Sequence, residues 1–157
     1  MNWEAIGSIG EVIGAIAVLV TLVYLTLQVR QGNRLMQAQY REINRSAVLE
    51  VFDPIVRDGE FAELIEKSRE DVGSLSVANQ RRVFEQQRNE LLLAQSIFVR
   101  ARLIKEDRTA RIGAGLAARM ITSHAVALQF WESTEWEVEF EKAVTALLSE
   151  SDTKEFA

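Results

Sequence analysis

Residues able to do chemistry are sparse in this 157-residue chain, which has one histidine, His124, and no cysteine. Zinc and haem sites draw on imidazole and thiolate donors, so that inventory leaves no metal site and no cofactor to expect. Ser123 precedes His124 and invites a nucleophile-and-base reading. Adjacent residues on a helix point about 100° apart, however, and the Gly-x-Ser-x-Gly elbow of a serine hydrolase is missing. His124 reads instead as a helix-end or interface histidine. Gly113-x-Gly115 lacks the third glycine and the preceding strand of a dinucleotide loop, and is better explained by close helix packing. Glu106 and Asp107 read as a solvated turn. No catalytic residue emerges, and the chain is not read as an enzyme.

A carboxylate in an unusual setting says more. Glu11 is the one charge in the apolar run from Ala5 to Val29. That run is about 25 residues, or about 37 Å of helix, against a hydrocarbon core of about 30 Å. Val12 to Leu27 alone would give about 24 Å and fall short, so a full span draws Glu11 into the apolar layer or its outer edge. A signal peptide fits poorly, because Met1-Asn2-Trp3-Glu4 carries no positive charge from its side chains and the run leads directly into a basic helix. The expectation is a transmembrane helix over residues 1–31.

Small residues recur in that helix at Gly7, Gly10, Gly14, Ala17 and Thr21, with spacings alternating between three and four. They form a heptad seam, continued by Tyr24, Gln28 and Gln31. Lipid gives little hydrophobic drive between helices, so close approach of thin faces is what holds them together. The seam is therefore the expected oligomer interface. Glu11 flanks it, with Glu4 further towards the N-terminus. A charge facing lipid there costs at least about 2.5 kcal/mol, so Glu11 should turn inward. In a ring of subunits, Glu4 and Glu11 become candidate pore or polar membrane sites.

Arg30, Arg34, Arg41 and Arg45 follow the span, whereas Glu4 is the only charged side chain before it. Basic residues close behind a span stay in the cytoplasm. This puts the N-terminus outside, with Trp3 at the interfacial belt, and the remaining chain inside. At about 100° per residue the four arginines fall within about 60° on one helix, a stripe suited to anionic lipid or ligand. The net charge of −5 argues against nucleic acid as a partner.

The remaining chain, 32–150, is helix-patterned and long enough for one modest core, with 151–157 expected to fray. The expected fold class is all-α: an N-terminal transmembrane helix continuing into a cytoplasmic helical bundle. The first helix is expected to run past Gly32 and stop at Asp53-Pro54. Phe61, Leu64, Ile65 and Val72 mark a short helix ended by Gly73. Ser76 caps a long one reaching about Ile104, with Phe84, Leu91, Leu92, Phe98 and Val99 in its stripe. After a break at Lys105-Glu106-Asp107 comes a helix carrying Ile112, Leu116 and Met120. Thr134 and Glu137 have capping-box spacing before a final helix with Trp136, Phe140, Val144 and Leu147 on one face. Trp131 and Trp136 lie in an aromatic concentration that reads as core, or alternatively as a partner patch.

The opening, WEAIGSIGEVIGAIAVLVTLVYLTLQVRQ, resembles a widespread group of small uncharacterised bacterial inner-membrane proteins. Its members share similar Trp-Glu-Ala-Ile-Gly, Gly-Glu, Ala-Val and Leu-Gln-x-Arg-Gln elements. The resemblance continues more weakly through Leu103-Ile104-Lys105-Glu106-Asp107 and Phe130-Trp131. The chain departs from the group at Arg102, where glycine is usual, and lacks the usual tryptophan after the Leu-Ile turn. The resemblance implies a single-span protein of the bacterial inner membrane with a helical inner domain, and brings no assigned activity.

Two functional readings stand. In one, the chain self-associates through the glycine seam into a homo-oligomer, with a pore or ion channel as its extreme form. In the other, it is a membrane-anchored scaffold or accessory subunit of a larger membrane complex. The partners expected are the lipid bilayer, further copies of the chain, or another membrane protein.

Overall fold

The computed structural model of the protein describes the backbone of residues 3–155 and the side chains of residues 10–150. Among the described residues there are six α-helices and one 3-10 turn, and no strand. The fold is all-α. The chain divides into two compact units, residues 1–42 and 43–157, and the division falls inside the first helix.

Helix α1, Trp3–Arg57, passes through Pro54 and does not stop before it. A proline inside a helix forfeits one backbone bond and crowds the preceding turn, at about 3 kcal/mol. Here the proline sits in the last turn, and that turn closes around it. The Asp58 amide donates to the Pro54 carbonyl at 3.1 Å, and Arg57 Nε meets Asp53 Oδ1 at 2.6 Å. Ile55 packs onto a small apolar cluster of Phe61, Leu64, Ile65, Val83 and Val126. Packing at the helix end outweighs the local preference.

Asp58 caps α2, Gly59–Glu70, by accepting from the Phe61 amide at 3.0 Å. A 3-10 turn, Val72–Ser74, follows, so Val72 and Gly73 belong to the connection and not to the short helix. Ser76 caps α3, Val77–Leu103, through the Asn79 amide. The end of α3 is a Schellman arrangement: Glu106 N–H donates to Ala101 O at 2.9 Å and Lys105 N–H to Arg102 O at 3.2 Å. It requires a left-handed residue, and Lys105 takes that place at φ 58°.

Helix α4, Asp107–Ser123, buries a different face from the expected one. Ile112 is 53% exposed, whereas Ala110, Ala114, Ala117 and Ile121 are buried together with Gly113. The cause is distance. A Cβ on Gly113 would lie 2.8 Å from the Ala94 carbonyl oxygen and 2.9 Å from the Phe98 amide nitrogen of α3. At that separation only small side chains fit at the crossing, so Ile112 is turned outward while Leu116 and Met120 pack at the edge of the core and Ile121 enters it further along. Helix α5, Ala125–Ser133, starts after a break at His124.

Helix α6, Val138–Glu155, begins later than the capping box predicts and continues past Glu150 to Glu155. Thr134 closes α5 instead of opening α6. The cap is Glu137 itself, whose Oε2 accepts from the Phe140 amide at 2.8 Å. Trp136 explains the delay: its indole Nε1 donates to the Trp131 carbonyl at 2.9 Å, which holds the connection against α5. The main core gathers Leu91, Phe98, Trp136, Phe140 and Val144 around the small residues of α4.

Candidate functional site

The sequence points first to α1. Every described residue from Gly10 to Met36 is exposed within the chain, and none of the apolar window of this helix is buried. The helix is long and apolar enough to cross a membrane. Glu4 and Gly7 lie outside the residues whose side chains are described. Within the described part of the seam, a Cβ added at Gly10 or Gly14 would meet nothing within 4 Å. Thr21 Oγ1 donates to the Ala17 carbonyl at 2.8 Å, so its hydroxyl is satisfied by its own helix and leaves the seam smooth. Further along, Gln28 Nε2 donates to Tyr24 Oη at 2.8 Å. Glu11 is exposed beside Gly10. Gly10, Gly14, Ala17 and Thr21 share one helical face, with Glu11 on its flank, and no other described part of their unit covers it.

Arg30, Arg34, Arg41 and Arg45 are all exposed on the continuation of the helix. Arg41 has an interaction partner of its own. By contrast, the aromatic concentration is largely interior. Trp136 is 8% exposed and stacks on the half-buried Trp131 with centroids 4.9 Å apart. Phe130 meets Trp136 edge-on at 5.6 Å, and Phe140 meets both tryptophans. The faces of these rings are engaged mainly with one another.

His124 pairs with a residue far from it in the sequence. Its Nε2 lies 2.8 Å from Ser68 Oγ, and both side chains are buried. Ser68 Oγ is also 2.6 Å from the Ile65 carbonyl oxygen, which can only accept. The single hydroxyl proton must therefore point at Ile65, and His124 Nε2 must donate to Ser68. That polarity is opposite to the one a nucleophilic serine needs, because a base would have to take the serine proton. The pair is a tie between α2 and the α4–α5 break. It leaves His124 Nδ1 enclosed without a partner among the described residues. Burial, reinforced by the Arg69 charge and opposed by Glu66, holds the imidazole below its ordinary pKa.

No family model, no curated protein and no solved structure matches this chain.

A second polar group inside the bundle escaped the reading of the sequence. Gln86, Gln87 and Glu90 of α3 are all buried. Gln86 Nε2 donates both to the Val51 carbonyl at 2.9 Å and to Glu90 Oε1 at 2.8 Å. It thereby joins α3 to the last turns of α1. Burial pushes the Glu90 carboxyl up, against the hydrogen bond from Gln86 and the charge of Arg69. A signal for this group did exist. Val83, Gln87, Leu91 and Ala94 follow i, i+4, i+8, i+11 along the buried face, so Gln87 is a polar residue on an apolar stripe.

Proposed function

We propose that this protein is a single-pass membrane protein that assembles with copies of itself through the thin face of α1 and carries its helical bundle on the cytoplasmic side. One observation supports this above the others: the apolar length of α1 has no cover within the chain. An exposed apolar surface of that length in water is an aggregation hazard, whereas in a bilayer it is the ordinary condition of a spanning helix. The open space over Gly10 and Gly14 then favours a second helix at close range. The arginine stripe sets the orientation, with the N-terminus outside.

The deciding measurement is the mass of the full chain, expressed alone and solubilised in mild detergent. A defined multiple of the monomer is the expected result. A monomer at all protein-to-detergent ratios would sink self-association and favour the accessory-subunit reading, in which the same face meets a different helix. Reporter fusions at the C-terminus test the orientation independently. Activity of a reporter that works only outside the cytoplasm would reverse it.

A further inference from the structure

We propose that the cleft between residues 52–55 of α1, helix α2 and helix α3 is a binding site for a small organic cation: an ammonium group carried on an apolar body. The cleft has a volume of about 620 Å³, within the range of small-molecule sites. Phe52, Ile55, Ala62 and Ile65 give it an apolar wall. Its charged groups are three carboxylates, Glu63, Glu66 and Glu90, against two cations, Lys67 and Arg69.

The distribution of that charge selects the ligand. Lys67 is paired with Glu63 at 3.8 Å and Arg69 with Glu66 at 3.2 Å, all four at the exposed rim. Glu90 hydrogen-bonds the neutral Gln86 and feels Arg69 only as a charge already paired with Glu66, and its residue is only 8% exposed. The negative charge in excess therefore sits deep in the cleft, where an opposite charge is worth most. An anion would have to displace Glu63 and Glu66 from their partners and still face Glu90.

Gln87 supplies the independent observation. It lines the same cleft and is 4% exposed, yet among the described residues nothing hydrogen-bonds its amide. The amide is not sealed in, since the one fully enclosed and unpartnered side-chain polar atom among the described residues is His124 Nδ1. A buried amide at the wall of a cleft takes its partner from whatever enters the cleft, water or ligand. Its Oε1 can accept from the ammonium that Glu90 neutralises, because Gln87 and Glu90 are three apart on one helix face. Burial already pushes the Glu90 carboxyl up, and a bound cation relieves that cost by stabilising the ionised form.

The test uses the full chain in nanodiscs of phosphatidylcholine, with empty nanodiscs as the blank. Three probes that share a phenyl ring on a three-carbon chain are titrated at neutral pH: 3-phenylpropan-1-ammonium, 3-phenylpropan-1-ol and 3-phenylpropionate. Binding is read by calorimetry, and the side-chain amide of Gln87 is followed by nitrogen-resolved NMR. The ammonium should bind about tenfold tighter than the alcohol, and Glu90→Gln should remove that advantage while leaving the alcohol unchanged. The ammonium should also shift the Gln87 amide signal. Equal binding of ammonium and alcohol to the wild-type protein, or tighter binding of the propionate, overturns the proposal. So does an ammonium preference that survives Glu90→Gln. Should that variant lose its helical circular-dichroism signal, the wild-type probe comparison and the Gln87 shift decide alone.

Discussion

Gly113 of the bundle and the pair Gly10 and Gly14 of the apolar stretch are opposite cases. At Gly113 the missing side chain is already used, because the backbone of α3 lies where a Cβ would be. At Gly10 and Gly14 the same absence is met by open space. One thin face is filled by the chain's own packing, and the other is uncovered among the described residues. Thin helix faces are thus interpretable only with their neighbours, and an unfilled one beside a fully exposed apolar surface is the stronger pointer to assembly.

The comparison breaks most visibly at the filled side. Trp136→Ala removes the ring that stacks on Trp131 and closes the core around Phe140, and should cost about 3–5 kcal/mol of bundle stability. Denaturant unfolding of the full chain in detergent, followed by a helical signal at the bundle's transition, checks it. A loss under about 1 kcal/mol would mean that the aromatic group is a surface and not a core.

Gly113→Ala should cost about 1–3 kcal/mol, since the added carbon meets backbone atoms that cannot rotate away. A neutral outcome would show that α3 and α4 can separate without penalty. The matching change on the open face, Gly14→Leu, should leave bundle stability unchanged and lower the oligomer-to-monomer ratio about tenfold. Leu19→Ala, away from the seam, is the control. Crosslinking in membranes that treats both variants alike would remove the seam from the interface.

His124 gives a pH dependence of smaller size. Its folded pKa is lowered, so the stability tied to its neutral form is fully present above the ordinary histidine range and is lost as pH falls through it. Glu90 acts in the other direction. Its raised folded pKa gives stability that is present at acid pH and lost as pH rises through the raised value. In a Glu90→Gln background, the unfolding temperature should therefore fall as pH drops below about 6.5. Adding His124→Gln should flatten that decline, and an unchanged slope would place the titration elsewhere. The smallest effect belongs to Gly115→Ala. Nothing lies within 4 Å of its Cβ position, so the variant should gain about 0.5–1 kcal/mol from helix propensity. Destabilisation there would reveal a contact from outside the chain.

Much of the local structure was legible in the chain. Ser76 announced α3 and the Lys105-Glu106-Asp107 break announced its end, because a cap and a polar turn act over a few residues. Leu91, Phe98, Phe140 and Val144 declared the core by their spacing. The misreadings share a cause. Pro54 and Thr134 carry strong local signals, and each was overruled by a contact whose other half lies elsewhere: Ile55 against the small cluster, and Trp136 against Trp131. Likewise Ile112 reads as part of a hydrophobic face, and Leu116 and Met120 do pack against the core, but the close approach at Gly113 turns Ile112 outward and gives the centre of the contact to alanines.

By itself the sequence determined an all-α chain and one helix long and apolar enough to cross a bilayer, since periodicity and length need no knowledge of neighbours. It also displayed the small-residue seam and the arginine stripe as rows on that helix. Only the tertiary structure decided that His124 answers to Ser68, fifty-six residues away, and not to adjacent Ser123. It alone drew Gln87 and Glu90 of α3 into one cleft with Arg69 of α2 and Phe52 of α1. Hydrogen bonds and desolvation act through space over a few ångströms, and the distance along the chain carries no information about them until the helices have packed.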